Sequence, residues 1–174
     1  MGTSAEQPDV GPMSRWDEDE LAPWMALLVT GQLLTARLGT ELRRGHGLSL
    51  EDYGVLIALE AAPDCRVRMG ELAEAALVSQ SRLSHQVTRM ESRGLVTREP
   101  SRYDRRGADV VLTEAGKQSL MRAAPDHIDA VRREFLAHLS ERDRQRLTTI
   151  LRPVLASLLS SPALARLLPP PNRK

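Results

Sequence analysis

The sequence predicts a mainly α-helical fold that carries one small β-hairpin. Three observations predict it. Apolar residues recur at helical spacing over most of residues 17–158. The period shifts to β-prone runs only at Leu95–Glu99 and Ala108–Leu112. Capping residues or glycine stand at the ends of the helical stretches. The chain has 174 residues, 41% hydrophobic and 27% charged, enough for one generous domain or two small ones and too apolar for bulk disorder. No uninterrupted apolar run approaches the roughly 18 residues of a membrane span; Trp24–Val29 and Val110–Leu112 stop well short. Asp9, Asp17, Glu18, Asp19 and Glu20 gather where a secretory signal would be basic and then apolar. Cys65 is the single cysteine, which excludes an intrachain disulfide framework and a Cys-rich zinc site. The expectation is a soluble protein of the reducing cytoplasm with no membrane partner.

In chain order, residues 1–13 are rich in Gly, Ser, Pro and Gln and read as a disordered tail. The first helix runs from about Asp17 to Arg44, with Leu21, Trp24, Leu27, Leu28, Leu34 and Leu38 on its apolar side. Pro23 sits in its opening turns or kinks it. Gly45-His46-Gly47 closes it, so residues 14–47 form an N-terminal segment. Ser49 can cap the second helix, with Asp52 three residues on and Leu48 placed to pack on Tyr53; Ala62-Pro63 ends it. A short helix is expected from about Gly70 to Leu77, turning Leu72, Ala73, Ala76 and Leu77 inward. After a turn at Val78-Ser79, a further helix covers Gln80–Arg93, with Leu83, Val87 and Met90 as its buried stripe and Gly94 as C-cap. The two β runs then flank a polar loop, Pro100–Gly107. Thr113 can cap a helix from Glu114 to about Leu139. Ser140, with Asp143 three residues on, caps a last helix along Leu147, Ile150, Leu151, Val154, Leu155 and Leu158, which Pro153 should kink. Three prolines open a second disordered tail, 169–174.

Net charge is only +1, but its distribution is uneven. Residues 1–20 carry six acids against Arg15, a balance of −5. Residues 79–106 carry seven arginines against Glu91, Glu99 and Asp104, a balance of +4. A block this basic points to an anionic partner, against the alternative of a solvated, salt-bridged face. Lys117 and Lys174 are the only lysines, and arginine makes the forked contacts to phosphate and guanine that lysine cannot. Helix, tight turn, helix and hairpin, over residues 48–112, form a winged helix-turn-helix lobe. The second helix of such a pair lies in the DNA major groove. With the apolar stripe inward, Gln80, Ser81, Arg82, His85, Gln86 and Arg89 are left to face DNA. Arg82 or Arg89 can fork onto guanine, Gln86 can pair with adenine, and Ser81 or His85 can meet a base or a phosphate. The loop adds Arg102, Arg105 and Arg106, residues suited to a narrow minor groove.

These residues resemble one family. Asp104-Arg105-Arg106 followed by Val110-Val111-Leu112-Thr113-Glu114-Ala115-Gly116 is similar to the wing signature of MarR-type transcriptional regulators. Glu71-Leu72-Ala73, the stretch Ser79–Glu91 and Gly94-Leu95-Val96 resemble that family's helix-turn-helix and its lead into the wing. The resemblance covers roughly Trp16 to Leu158. It implies a homodimer joined through N- and C-terminal helices, a pseudo-palindromic double-stranded DNA operator, and release by a small-molecule effector or an oxidant. It implies Arg106 as the minor-groove arginine and Asp104 as the carboxylate that orients it. The sequence departs from the common pattern at Gly70, where a serine N-cap is usual, and at Arg102-Tyr103, where acidic residues or proline are frequent.

A dimer is also expected from the residues themselves. The first helix and the last two, residues 14–47 and 113–168, are apolar over too wide an arc for a small lobe to cover. A two-fold pair sets reading helices about one DNA turn, roughly 34–36 Å, apart. The competing reading is a winged-helix interaction or ligand-binding module without specific DNA recognition. An enzyme has nothing to rest on: no G-x-S-x-G, phosphate loop or G-x-G-x-x-G occurs. His46, His85, His127 and His138 are too widely spaced for a metal site, and no cofactor is implied. Cys65 reads as a loop cysteine without a redox role. A small-molecule pocket is expected where the first two helices meet the fifth, walled by Trp24, Leu28 and Tyr53 with Arg37 or His46 free for an anion.

Overall fold

The computed structural model describes residues 16–76, 78–101 and 107–158. Along the described chain run α1 (Glu18–His46), α2 (Leu50–Glu60), β1 (Arg66–Arg68), α3 (Met69–Ala75), α4 (Gln80–Ser92), β2 (Val96–Pro100), β3 (Ala108–Leu112), α5 (Glu114–Glu134) and α6 (Glu141–Leu158). The tails assigned to residues 1–13 and 169–174 lie outside the described residues.

Local chemistry explains most boundaries. Ser49 and Asp52 form the expected capping box: the Ser49 hydroxyl accepts from the Asp52 amide, and the Asp52 carboxylate accepts from the Ser49 amide. Leu48 and Tyr53, the expected staple, are both buried. Gly47 and Gly94 end α1 and α4 at φ of +64° and +71°, a conformation only glycine adopts without strain. The Ser79 hydroxyl caps α4 by accepting from the Arg82 amide.

Three expectations need correction or extension. The cap of α3 is Arg68, not Gly70, and it makes no side-chain cap bond; Leu77, expected inward, lies outside the described residues. The fifth helix stops at Glu134 rather than Leu139, because Phe135 leaves the helical region and a single 3-10 turn follows at Leu136–His138. The hairpin gains a third strand. β1 pairs antiparallel with β3, in register Arg66 to Val111 and Arg68 to Asp109, so the order is β1-β3-β2. Three residues reading Arg-Val-Arg are too few and too polar to show a β period. Pro23 and Pro153 both lie inside their helices, α1 and α6.

The core sits between α2, α3, α4, the sheet and the first half of α5. Leu48, Leu56, Leu59, Leu72, Leu83, Val87, Met90, Val96 and Val110 are essentially inaccessible. Each such side chain contributes about 1.5–3 kcal/mol by leaving water. The cluster extends back to Leu42 on α1 and forward to Leu120 and Ala123 on α5.

The chain divides into residues 1–36 and 37–174. In the first unit, Trp24, Leu27 and Leu33 are 46%, 49% and 56% exposed. In the second, α6 buries nothing and leaves Ile150, Val154, Leu155 and Leu158 in solvent. Although no uninterrupted apolar run reaches spanning length, an 18-residue window within Asp19–His46 of α1 has a mean hydropathy of 1.2, long and apolar enough to span by length and composition alone.

Candidate nucleic-acid interface

With Leu83, Val87 and Met90 in the core, α4 turns Gln80, Ser81, Arg82, His85, Thr88 and Arg89 outward. Five of the six residues expected on this face are therefore exposed. Gln86 is the exception. It is buried, and its Nε2 donates to Asp52 Oδ1 at 3.2 Å. The position follows from helical spacing: Gln86 adjoins Val87 and stands three residues after Leu83, so it falls on the edge of the inward stripe. No base can reach it in this arrangement.

Asp52 is the hub of a polar joint between α2 and α4. Besides Gln86 and the Ser49 amide, its carboxylate faces Arg93 Nη1 at 3.5 Å, while Arg93 Nη2 donates to the Gly47 carbonyl at 2.9 Å. One carboxylate thus ties both ends of the α1–α2 turn to the reading helix. Beside it, the Glu51 carboxyl is held below the usual carboxylate range by hydrogen bonds from its own backbone amide and from Ser49, with the Arg82 and Arg43 charges adding to the effect.

The wing stem is fastened in two places. Arg66 on β1 bridges the sheet, pairing with Glu99 on β2 and with Asp109 on β3 at 3.3 Å. Arg98 on β2 reaches α4 instead. Its Nη2 donates to the Ser84 carbonyl at 2.6 Å and to Thr88 Oγ1 at 2.8 Å, and its backbone amide donates to Glu91 Oε1 at 3.0 Å. The sequence reading counted Arg98 only as part of the basic block. The Ser101 amide donates to the Gly107 carbonyl at 2.9 Å and closes the stem. Arg102, Asp104, Arg105 and Arg106, the expected wing-tip contacts, lie outside the described residues.

Comparison with known proteins agrees with this geometry. A MarR family profile matches residues 46–107, from the α1–α2 turn to the end of the wing loop. The transcriptional regulator HosA of Escherichia coli O157:H7 is 34% identical over 121 residues, 70% of this chain and 85% of HosA. The chain belongs to the MarR family of DNA-binding transcriptional regulators. Among solved structures, AbsC, a MarR family regulator from Streptomyces coelicolor, is 39% identical, with a TM-score of 0.78 over 84% of this chain and 98% of AbsC. Sco3205, a MarR family regulator from the same organism solved in complex with DNA, is 37% identical, with a TM-score of 0.79 over 84% of this chain and 91% of its own. Regulation of transcription by DNA binding, not catalysis, is the work of this family.

The MarR-type signature acquires physical reasons here. Thr113 Oγ1 contacts the carbonyls of Gly94 and Leu95 at 2.6 and 2.9 Å and accepts from the Gly116 amide at 2.9 Å, so one hydroxyl caps α5 and pins it to the end of α4. A Cβ on Gly116 would stand 2.0 Å from the Leu95 carbonyl oxygen, so only glycine fits. A cavity of about 260 Å³ lies between the second half of α1 and α5, lined by Leu38, Leu42, His46, His127, Ala130 and Arg133 among others. Tyr53 packs against His127 with ring centroids 4.5 Å apart and the ring planes tilted by 51°. Of the other expected pocket residues, Trp24 is half-exposed in the first unit. Arg37 pairs with Glu134, and His46 with Asp126, each at 2.9 Å, so neither is free for an anion. Cys65 is half-buried against the core.

Proposed function

We propose that this MarR-family protein is a homodimeric, sequence-specific regulator acting as a ligand-responsive repressor in the cytoplasm. In this reading it binds a pseudo-palindromic operator, with α4 in the major groove and the wing in the minor groove. The observation that carries the reading is the outward face of α4. It holds Gln80, Ser81, Arg82, His85 and Arg89, with no large apolar side chain among them, on a helix anchored by three inaccessible core residues. A face meant for a protein partner would carry apolar anchors. Arg102, Arg105 and Arg106 complete the site, with Asp104 orienting Arg106. The solved DNA complex of Sco3205 supports the DNA partner. A second copy of the chain is the occupant we assign to the apolar surfaces of α1 and α6, because two-fold pairing supplies two reading helices for a palindrome. The cavity between α1 and α5, where the buried His127 Nδ1 has no hydrogen-bond partner, supports a small-molecule effector.

The test is selection of binding sites from random DNA, followed by fluorescence anisotropy at two salt concentrations. The expected product is a palindrome with half-sites about one helical turn apart. Affinity should fall with salt at a log–log slope of roughly −0.9 per phosphate contacted. Arg106→Ala should weaken operator binding while leaving the circular dichroism spectrum unchanged. Equal, weak binding to every DNA would instead support an interaction module that has kept the fold.

A further inference from the structure

We propose that Arg98 is a positioning residue that fixes the wing against the reading helix, so that both engage one DNA half-site in a single register. The proposal rests on the DNA-binding reading of α4 and the wing and deepens it. Three partners of Arg98, Ser84, Thr88 and Glu91, lie four and then three residues apart on α4, so they form one stripe along the helix. This stripe flanks the reading face: Thr88 is exposed, while Ser84 and Glu91 are half-buried. Arg98 Nη2 contacts the Ser84 carbonyl at 2.6 Å, the Ser84 hydroxyl at 3.4 Å and the Thr88 hydroxyl at 2.8 Å. Its Nη1 faces Glu91 Oε2 at 3.7 Å, and its backbone amide donates to Glu91 Oε1 at 3.0 Å. The strand is therefore held to two turns of the helix by both its side chain and its main chain.

The placement matters because, among the described residues, β2 is an edge strand paired with β3 alone, and it ends at Pro100, where the wing loop begins. Its β3 partner for Arg98 is Val110, a core residue. Cross-strand pairing fixes β2 within the sheet but leaves its pitch toward α4 to whatever joins the two elements. Val96 in the core and the Leu95 amide on the Met90 carbonyl hold the start of β2 to α4; farther along the strand, toward the wing loop, the Arg98 cluster makes the join. A forked, planar guanidinium can meet a carbonyl, a hydroxyl and a carboxylate at fixed angles, whereas an ammonium supplies charge without that geometry. The guanidinium Nε is buried with no hydrogen-bond partner, so the group is kept despite an unmatched donor. Two rigidly related reading elements bind a half-site without first having to be ordered against each other.

The test uses the full chain with Arg98→Ala and Arg98→Lys. Hydroxyl-radical footprinting reports the minor groove and guanine methylation interference the major groove, both on operator selected by the wild type. Amide hydrogen exchange over residues 96–100 and thermal melting are followed in the free protein. Both variants are expected to melt close to the wild type, exchange faster over 96–100 and keep the methylation pattern of α4. They should lose the minor-groove footprint and bind roughly tenfold more weakly. Rescue by lysine would show that charge alone matters and overturn the proposal. So would an intact minor-groove footprint in Arg98→Ala, or loss of both footprints with a large fall in melting temperature. If the wild type itself yields no footprint on any DNA, the DNA-binding reading has failed; the exchange measurement then decides the brace alone, and unchanged exchange in both variants would overturn it.

Discussion

Gln86 and His127 are the two residues whose surroundings most change what their side-chain type suggests. The Gln86 amide serves Asp52 inside the protein, not a base outside it. Gln86→Ala should therefore cost about 1–3 kcal/mol through a lost buried hydrogen bond and a small void. It should weaken DNA binding by a similar factor for every operator variant. Melting curves and a repeated site selection check this; unchanged stability with relaxed preference at one base pair would mean that Gln86 leaves Asp52 when DNA is bound. At His127, burial beside Tyr53 pushes the imidazole below its ordinary value of 6.5, opposed by the charge of Glu41. The folded state then holds fewer protons on this group than the unfolded one. Its contribution is complete above about pH 6.5 and is lost as pH falls through the lowered folded value. His127→Phe keeps a ring against Tyr53 and removes the titration. Its melting temperature should fall less than that of the wild type between about pH 7 and pH 5.

At the scale of elements, two glycines in helices have opposite requirements. Gly116 opens α5 with its Cα against the Leu95 backbone, and an added Cβ would also meet Leu112 Cδ1 at 2.8 Å. Gly116→Ala should destabilise by about 2–4 kcal/mol, because α5 must pull away from the end of α4. Gly54 in α2 has nothing within 4 Å of the same position. Gly54→Ala should stabilise by up to about 1 kcal/mol through helix propensity alone. Chemical denaturation of the two variants reads both signs. The caps at Ser49 and Thr113 and the stop at Gly94 were legible in the sequence because each acts within about four residues; Ser79, read there only as part of a turn, caps α4 as well. β1 was not legible, because three residues become a strand only when β3 lies beside them.

For the whole molecule, the open question in the fold is what covers the apolar side chains of α1 and α6. Pairing with a second copy predicts a melting temperature that rises with protein concentration. Replacing Leu27 and Leu33 together by glutamate should give a monomer by sedimentation velocity, with the helical spectrum of the lobe retained and operator affinity lost. Wild-type protein sedimenting as a monomer at all concentrations would remove the dimer from the proposal. The lobe itself does not need a partner to close its core, since Leu48, Leu56, Leu72, Leu83 and Val96 are inaccessible within one chain.

The amino-acid sequence by itself determined the helical periods, the caps, the hairpin and the basic reading helix, because these depend on neighbours a few residues apart. It also carried the MarR-type signature at Asp104–Gly116, whose threonine caps α5 three residues on, although the reason for its glycine, the Leu95 carbonyl, lies far back in the chain. The tertiary structure decided what depends on residues far apart in the chain. Asp52 claims Gln86 from 34 positions away, Arg66 joins Asp109 across 43, and Arg98 meets Ser84 across 14. Polar side chains at the edge of a buried stripe have a partner on either side. Which side wins is set by the element packed against them, and no periodicity in the chain records that.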